Sequence, residues 1–582
     1  MADTTLSPEL LAAIRSMEVR GVDHLPVVAA FCNAIHLQDI VNGFVDTRMD
    51  VKPGAIVQAM VLDTLSGRSP LYHLESFMEE QDSELLLGEK HAAHNFSDTN
   101  IGRALDAIFA AGSSNMLTEI AISACKTFHI NCSHLSFDTT SISVWGEYAN
   151  YDKSDDAPAD DGTPRAPCVT YGHSKDHNPD LKQVMAELLC VERGVPIFGR
   201  CIDGNASDKT NNNKMLTKIS SLMAKHGLGQ GAFTYVADSA LVTEPNLELL
   251  SSTPFVTRLP GVYRECDRVV GEAVDAGKWV ELGTLSELPS PVSRPCSDYR
   301  VAESHVTLYG MKYRAVIVHS DSHDRRMQKR LEKAVNASRQ NLEKQLKKQE
   351  CEFFCQADAE KAAEALRKTS DPMHALDVEV IQTEANKRGR PPKNGNIQTR
   401  PKYTLKTTIR KKEEGVKREE ERAGCFVLLT NIPLAGDGAM DAKSLFLAYK
   451  GQYGVENNFA FLKDPLIVND MFLKKAERID VLGIILILSL LIWRLIERSM
   501  RNHLANTGGT LVGLNQQLTK RPTAYAMSTK FRGLQIMLVQ GTRMLARDLS
   551  DDVTAYLEAL GLTMEVFTTP GYACKPVLKE RS

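Results

Sequence analysis

Three carboxylates stand where they could work together. Asp138 lies inside the segment SFDTTS, Asp238 closes VAD in YVADSA, and Glu456 sits within GQYGVENNFAFLKDP. An acid beside Phe137 in a strand-like segment is costly to bury unless something pairs with it. Each acid alone reads equally well as a capped or hydrogen-bonded structural residue, so the functional reading rests on the conjunction. Carboxylates with open oxygen positions suit Mg²⁺ or Mn²⁺, which keep waters and accept phosphate oxygens as further ligands. Two such ions about 3.5–4 Å apart activate a water or a 3′-hydroxyl and stabilise the leaving oxygen of an in-line phosphoryl displacement. Asp138, Asp238 and Glu456 are therefore the expected catalytic and metal-binding residues. Glu456 also has company: Tyr449, Gln452, Glu456 and Lys463 are separated by 3, 4 and 7 residues. At about 100° per residue they fall within an arc of about 60° on one helix face. The bland alternative is a solvated face with chance spacing.

The elements that must position these acids are legible in outline. Residues 1–130 read as helical, with Ile56, Val57, Met60, Val61 and Leu65 at helical spacing, then Leu71, Leu74, Phe77 and Met78 after the cap Ser69-Pro70. From residue 131 strands dominate. HLSFDTTSISV (134–144) is rich in β-branched residues, and 182–192 and 196–202 form a hairpin about Arg193-Gly194. An amphipathic helix over 211–226, a strand at 233–237, a short helix near 245–250 and a strand at 255–258 follow. This β-β-β-α-β-α-β order is that of the ribonuclease H fold. The expected class is α/β: a ribonuclease H-like mixed sheet core with a large mixed α+β insertion, a helical N-terminal domain and a helical C-terminal extension. The expected divisions are 1–130 (helical, DNA-binding), 131–258 (core, first part), 259–440 (insertion), 441–500 (core, last part, carrying Glu456) and 501–582 (helical extension). Within the insertion, alternation about Gly310 predicts a β-hairpin. Leu331, Val335, Leu342, Leu346 and Phe353, at spacings of 4, 7, 4 and 7, predict a helical hairpin over 323–369. Strand character returns at 425–430, and 534–549 reads as helical.

The motif around Glu456 resembles the Y-x-x-R-x-x-x-E-x-x-x-x-x-x-K signature of DDE transposases from bacterial insertion sequences. Tyr449, Glu456 and Lys463 match it, and Gln452 stands in place of the arginine. DTTS from Asp138, YGHSKDHNPDLKQ from Tyr171 to Gln183, VAD ending at Asp238 and Thr430-Asn431 extend the resemblance over about residues 130–500. It implies that Asp138, Asp238 and Glu456 form the catalytic triad, that the enzyme binds terminal inverted repeats, and that it joins the cut 3′ ends to target DNA. Tyr449, Gln452 and Lys463 become DNA-binding residues. Gln452 removes a permanent charge but can still hydrogen-bond a phosphate, so altered end binding is expected rather than lost chemistry. Gly451 and Gly454 weaken the helix by roughly 1 kcal/mol each, which points to an irregular first turn or a close approach to DNA.

Charge is concentrated. Residues 385–412 hold ten cations and no acid, in a chain whose formal net charge is −4, so the remainder sums to −14. The segment is poor in apolar residues and reads as a mobile loop that meets phosphate. Within it, Lys387, Arg388, Arg390 and Lys393 form KRGRPPK, similar to an AT-hook lying in a narrow minor groove. The alternative is a solvated linker. His173 and His177, four apart, read as loop residues making hydrogen bonds or substrate contacts rather than holding a metal. Asp176, Asp180 and Asp203 fit caps and turns.

With 582 residues, 43% hydrophobic and 24% charged, the composition excludes wholesale disorder and collagen. The length predicts about four structural units. Twelve scattered cysteines without a Cys-x-x-Cys pair fit reduced thiols. The thirteen apolar residues Val481–Trp493 fall short of the roughly 20 of a membrane span and predict a buried helix that continues into Arg494, Glu497 and Arg498. The expectation is a cytoplasmic, nucleoid-associated, Mg²⁺-dependent DNA transposase without membrane association, acting on transposon ends and target DNA as a homodimer in its synaptic complex. The rivals are a catalytically silent DNA-binding protein on the same scaffold, acting as a repressor or architectural factor, and a nuclease that cuts without joining.

Overall fold

The structure is a computed structural model that describes residues 16–67, 73–144, 148, 165–175, 178–225, 227, 229, 232–285, 297–320, 325–347, 352–368, 371, 373–386, 399–464, 473 and 475–578. The chain divides into two compact units, Met1–Thr257 with Ser444–Ser582, and Arg258–Lys443.

Among its described residues the first unit has a short strand, β1 (Glu18–Gly21), followed by the α-helices α1 (Leu25–Ala34), α2 (Leu37–Phe44), α3 (Pro53–Gly67), α4 (Leu74–Glu80), α5 (Ser83–Leu87), α6 (Asp98–Ala111) and α7 (Ser113–Thr127). Ile56, Val57, Met60, Val61 and Leu65 are all buried on α3. Ser69, Pro70 and Leu71 lie outside the described residues. Next come β2 (His134–Val144), β3 (Lys182–Val191), β4 (Val195–Ile202), α8 (Asp208–Lys225), β5 (Thr234–Ala237), α9 (Glu244–Leu249) and β6 (Phe255–Arg258). The strands lie in the order β4-β3-β2-β5-β6. β4, β3 and β2 pair antiparallel, whereas β2, β5 and β6 pair parallel. Two helical crossovers, α8 and α9, make the parallel pairings possible. The β3–β4 turn takes positive φ at Arg193 (59°) and Gly194 (83°), the conformation glycine adopts without strain.

The second unit contains α10 (Arg264–Ala276), β7 (Val280–Thr284), β8 (Asp298–Leu308), β9 (Met311–Ser320), α11 (Arg325–Lys347), β10 (Glu352–Phe353), α12 (Gln356–Arg367), β11 (His374–Asn386), β12 (Thr399–Lys411), α13 (Glu413–Ala423) and β13 (Cys425–Thr430). β13, β9, β8 and β7 form an antiparallel array, with β8 and β9 joined at Tyr309-Gly310 (φ 52° and 78°) as the alternation predicts. The expected helical hairpin is only partly present. α11 and α12 do form, but Phe353 belongs to a two-residue strand paired with Tyr403. Leu342 of α11 and Ala359, Ala363 and Leu366 of α12 share a small core with Leu376, Val378 and Leu405 of a long hairpin, β11–β12. Residues 385–386 and 399–411 of the expected mobile loop are strand instead, and 387–398 lie outside the described residues. Its described residues are the end of β11, all of β12 and Lys412. Tyr403, Leu405 and Ile409 alternate inward on β12 between outward cations, a period-2 pattern masked by the density of charge.

The chain then returns to the first unit through α14 (Ala442–Gly451), α15 (Tyr453–Leu462), α16 (Ala476–Thr507), β14 (Leu511–Val512), β15 (Leu518–Thr519), α17 (Ala524–Phe531), β16 (Gln535–Val539), β17 (Thr542–Leu545) and α18 (Asp551–Leu560). By length and composition α16 is apolar enough to cross a membrane, with a mean hydropathy of 2.4 over 18 residues, yet 94% of that window is buried inside the protein. It packs against β4, α1, α3, α6, α7 and α18. A Cβ at Gly483 would collide with Cys201 Sγ of β4, so glycine permits this close approach. Past Trp493 its charges are engaged: Arg494 and Arg501 both bind Glu497, at 2.7 and 3.2 Å, and Arg498 binds Glu192 at 3.1 Å.

The C-terminal extension is mixed rather than helical. Residues 535–545 form the β16–β17 hairpin about Gln540 and Gly541 (φ 50° and 80°), and β16 also pairs antiparallel with β1. Positive φ at both turn positions matches the twist of paired strands and overrides the helical spacing of the flanking apolar residues.

Candidate functional site

β2 is the central element. Its β-branched sequence forms an eleven-residue strand with β3 on one side and β5 on the other. In the parallel β2–β5 ladder Phe137 faces Ala237, so Asp138 and Asp238 are the next residues along two adjacent strands. Both are half-buried. Asp138 Oδ1 accepts the Thr139 N–H at 2.7 Å. Asp238 caps the turn that follows β5, accepting the Ala240 N–H at 3.0 Å, and its carbonyl accepts the Thr257 hydroxyl at 2.6 Å. Burial holds the Tyr235 hydroxyl well above its ordinary pKa, and the charges of Glu187, Asp238 and Asp138 push it the same way. Burial also raises the Cys190 thiol to about 12, with Asp138 adding to the shift. The two aspartates thus act on one small region.

Glu456 lies on α15, which packs against β2 and β3. Two contacts set that helix. Asn458 Nδ2 donates to Gly194 O at 2.7 Å and to Cys190 Sγ at 3.2 Å, and Asn458 Oδ1 accepts from Arg494 Nε of α16 at 2.8 Å. Gly454 rests on Gly194, where a Cβ at Gly454 would lie 3.1 Å from the Gly194 Cα. The close approach expected at Gly454 is therefore to the protein's own β3–β4 turn. Glu456 itself is exposed.

The four signature positions do not share one uninterrupted face. α14 ends at Gly451 and α15 starts at Tyr453, with the Gln452 N–H bonded three residues back to Tyr449 O at 3.1 Å. Gln452 is buried (7% exposed), whereas Tyr449 and Lys463 are half-buried and Lys463 is the C-cap of α15. Among the described residues no group of three or more His, Cys, Asp or Glu side chains is arranged to hold a metal ion. Asp138 and Asp238 are brought side by side, and Glu456 stands on the adjoining helix.

Two features escaped the sequence reading. Lys175, inside YGHSK, donates through Nζ to Thr139 O at 2.7 Å and Thr139 Oγ1 at 3.1 Å, which sets a cation one residue from Asp138. Only the segment, not the residue, was marked by sequence. Glu187 is fully buried on β3, opposite Thr139 of β2, and binds Arg200 Nε of β4 at 2.6 Å. Nothing in the alternation of β3 distinguishes it. His173 is exposed, and His177 and Asp176 lie outside the described residues. Asp203 joins two distant segments rather than capping a turn, its side chain accepting the Cys168 N–H at 2.7 Å, and Asp180 is exposed.

In the second unit, Lys387, Arg388, Arg390 and Lys393 lie outside the described residues. The other six cations of the segment are on β12 or directly after it. Four are engaged: Lys402 with Glu352 at 2.8 Å, Arg410 with Asp377 at 3.2 Å, Lys412 with Asp371 O at 2.8 Å, and Arg400 over the Phe354 ring at 3.6 Å from its centroid.

The profile of a domain family of unknown function, DUF4277, matches residues 17–122, which span β1 to most of α7. No curated protein matches the chain.

Proposed function

We propose that the chain is a Mg²⁺-dependent DNA transposase of the DDE kind, which binds the ends of an insertion sequence, cleaves them and transfers the strands to target DNA. The observation that carries this reading is the placement of Asp138 on β2 and Asp238 directly after β5, each one residue past the paired Phe137 and Ala237 of these parallel strands, beside the helix that bears Glu456. The strand order β4-β3-β2-β5-β6 supports a ribonuclease H-like core at the same place.

The donor set fits a hard cation. Asp138 and Asp238 offer carboxylates oriented by backbone N–H groups, and with Glu456 they would hold Mg²⁺ or Mn²⁺. When bound, the cation supplies Lewis-acid stabilisation of phosphoryl oxygens and a more acidic water or hydroxyl. Thr139 and Ala240 fix the acids, Lys175 adds positive charge beside them, and Asn458 holds the helix of Glu456 in position. Of the signature residues assigned to DNA, Tyr449 and Lys463 are the more accessible. Buried Gln452 acts on the strand through the helix junction it occupies. The KRGRPPK segment contributes further phosphate contacts. A homodimer pairing two DNA ends on the nucleoid completes the reading.

The second reading, a catalytically silent DNA-binding protein, is favoured by the exposure of Glu456 and by the lack of a three-acid cluster among the described residues. One experiment separates them: the full chain is incubated with Mg²⁺ and linear DNA carrying the element's own ends, beside Asp238→Ala. Cleavage and joining by the wild type alone is expected. Binding without cleavage would replace the enzyme by the silent protein, and cleavage without joining would leave a nuclease.

A further inference from the structure

Within the first unit, β4, α7, α8 and α16 border a cavity of about 570 Å³ whose lining includes Ser114, Arg165, Arg200, Asn211, Lys214 and Lys218. That volume falls in the range of small-molecule sites. Asn211 is 2% exposed, and its Nδ2 has no hydrogen-bond partner among the described residues. Leaving a buried donor unpaired costs about 1–3 kcal/mol, and an acceptor oxygen in the cavity would remove that cost. Asn211, Lys214 and Lys218 follow one face of α8 at spacings of 3 and 4. Neither lysine forms an ion pair among the described residues. The two arginines are held in direction, Arg200 by Glu187 at 2.6 Å and Arg165 by Asp203 at 3.7 Å. α7, fifteen residues long, begins in the wall of the cavity with Gly112 as its N-cap and no side-chain cap, so its first-turn N–H groups add partial positive charge. The remaining acid of the lining, Asp480, accepts the Ser113 hydroxyl at 2.6 Å.

We propose that this cavity binds a phosphate monoester through Asn211 Nδ2, Lys214 and Lys218, with Arg165 and Arg200 behind them. The monoester belongs either to a free mononucleotide or to the 5′-phosphate end of a DNA strand. The site stands apart from Asp138 and Asp238 and does not depend on whether the chain cuts DNA.

Equilibrium dialysis of the full chain with AMP and with adenosine tests this. AMP is expected to bind and adenosine to bind at least ~10-fold more weakly, a difference of about 1.4 kcal/mol. Lys214→Gln with Lys218→Gln, on the exposed part of α8, should lower AMP affinity about tenfold or more with the melting temperature unchanged. Asn211→Asp, which keeps the shape and adds a negative charge, should lower AMP affinity at least as far, here with a lower melting temperature because the carboxylate is buried. Equal binding of AMP and adenosine, no binding of either, or wild-type affinity in both variants would overturn the proposal. Displacement of AMP by a 5′-phosphorylated oligonucleotide, and not by its 5′-hydroxyl form, assigns the site to DNA ends. AMP binding that neither oligonucleotide displaces assigns it to free nucleotides.

Discussion

Gly194 and Gly454 meet backbone to backbone: a Cβ on Gly194 would stand 3.0 Å from the carbonyl oxygen of Gly454. The β3–β4 turn and the helix of Glu456 are thereby locked at a distance that only two glycines allow. In Gly454→Ala, the gain of roughly 1 kcal/mol in helix propensity opposes an overpacking cost of about 1–3 kcal/mol, and the neighbouring backbone cannot yield as a side chain would. Net destabilisation of up to about 2 kcal/mol is expected in chemical denaturation. Gly194→Ala should cost more, because φ at 194 is 83°.

Asn458 is fully buried and ties the helix of Glu456 to the β3–β4 turn. Asn458→Ala removes the partner of Gly194 O and of Arg494 Nε, while Arg494 keeps its ion pair with Glu497. The expected result is a fall of at least ~10-fold in Mg²⁺-dependent cleavage, equivalent to about 1.4 kcal/mol, with DNA affinity retained in a gel-shift assay. Equal losses in binding and cleavage would reduce Asn458 to a purely structural residue.

Arg543 on β17 binds Asp82 through two contacts, at 2.7 and 3.0 Å, and Glu84 at 2.7 Å, with Arg543 and Asp82 both nearly buried. Asp82 also caps α5 through the Leu85 N–H. Removing one partner of such a buried pair typically costs 3–5 kcal/mol. Arg543→Ala should lower stability by about that amount in urea titration, while Arg543→Lys recovers only part of it.

Asp480 supplies a pH signature. Burial, the largest influence, lifts its carboxyl from the ordinary 3.8 to about 6, against the opposing hydrogen bond from Ser113. The folded state therefore holds this proton more tightly than the unfolded chain. The stabilisation it brings is full below about pH 3.8 and is lost as pH rises through about 6. Asp480→Asn should make the protein more stable at pH 7, by up to roughly 3 kcal/mol, and flatten its stability between pH 5 and 7. A variant whose urea midpoint still falls over that interval as the wild type's does would place the titrating group elsewhere.

Local signals carried much of the architecture. The β2, β3, β4, β5 and β6 segments alternate or run apolar between clear turns, and Tyr309-Gly310 marks a hairpin because both residues take positive φ. Where two periods compete, the reading failed. Leu534, Leu538 and Leu545 look helical, but Gln540-Gly541 makes a tight turn and the strands find partners. On β12 the cations concealed the inward alternation of Tyr403, Leu405 and Ile409. Asp138 and Asp238 were legible because strand position follows from sequence. The environment of Glu456 was not, since the contact of Gly454 is with Gly194, more than 250 residues away. Glu187 and Lys175 become visible only once β2 and β3 are paired.

The pairing of Glu18–Gly21 with Gln535–Leu538 has a temporal meaning as well. During synthesis β1 waits for a partner some 500 residues later, a delay of roughly 25–100 s at ordinary rates. Until then the N-terminal helices also lack α16, the apolar rod around which they pack. A chain that stops before Gln535 leaves β1 without the strand it pairs with.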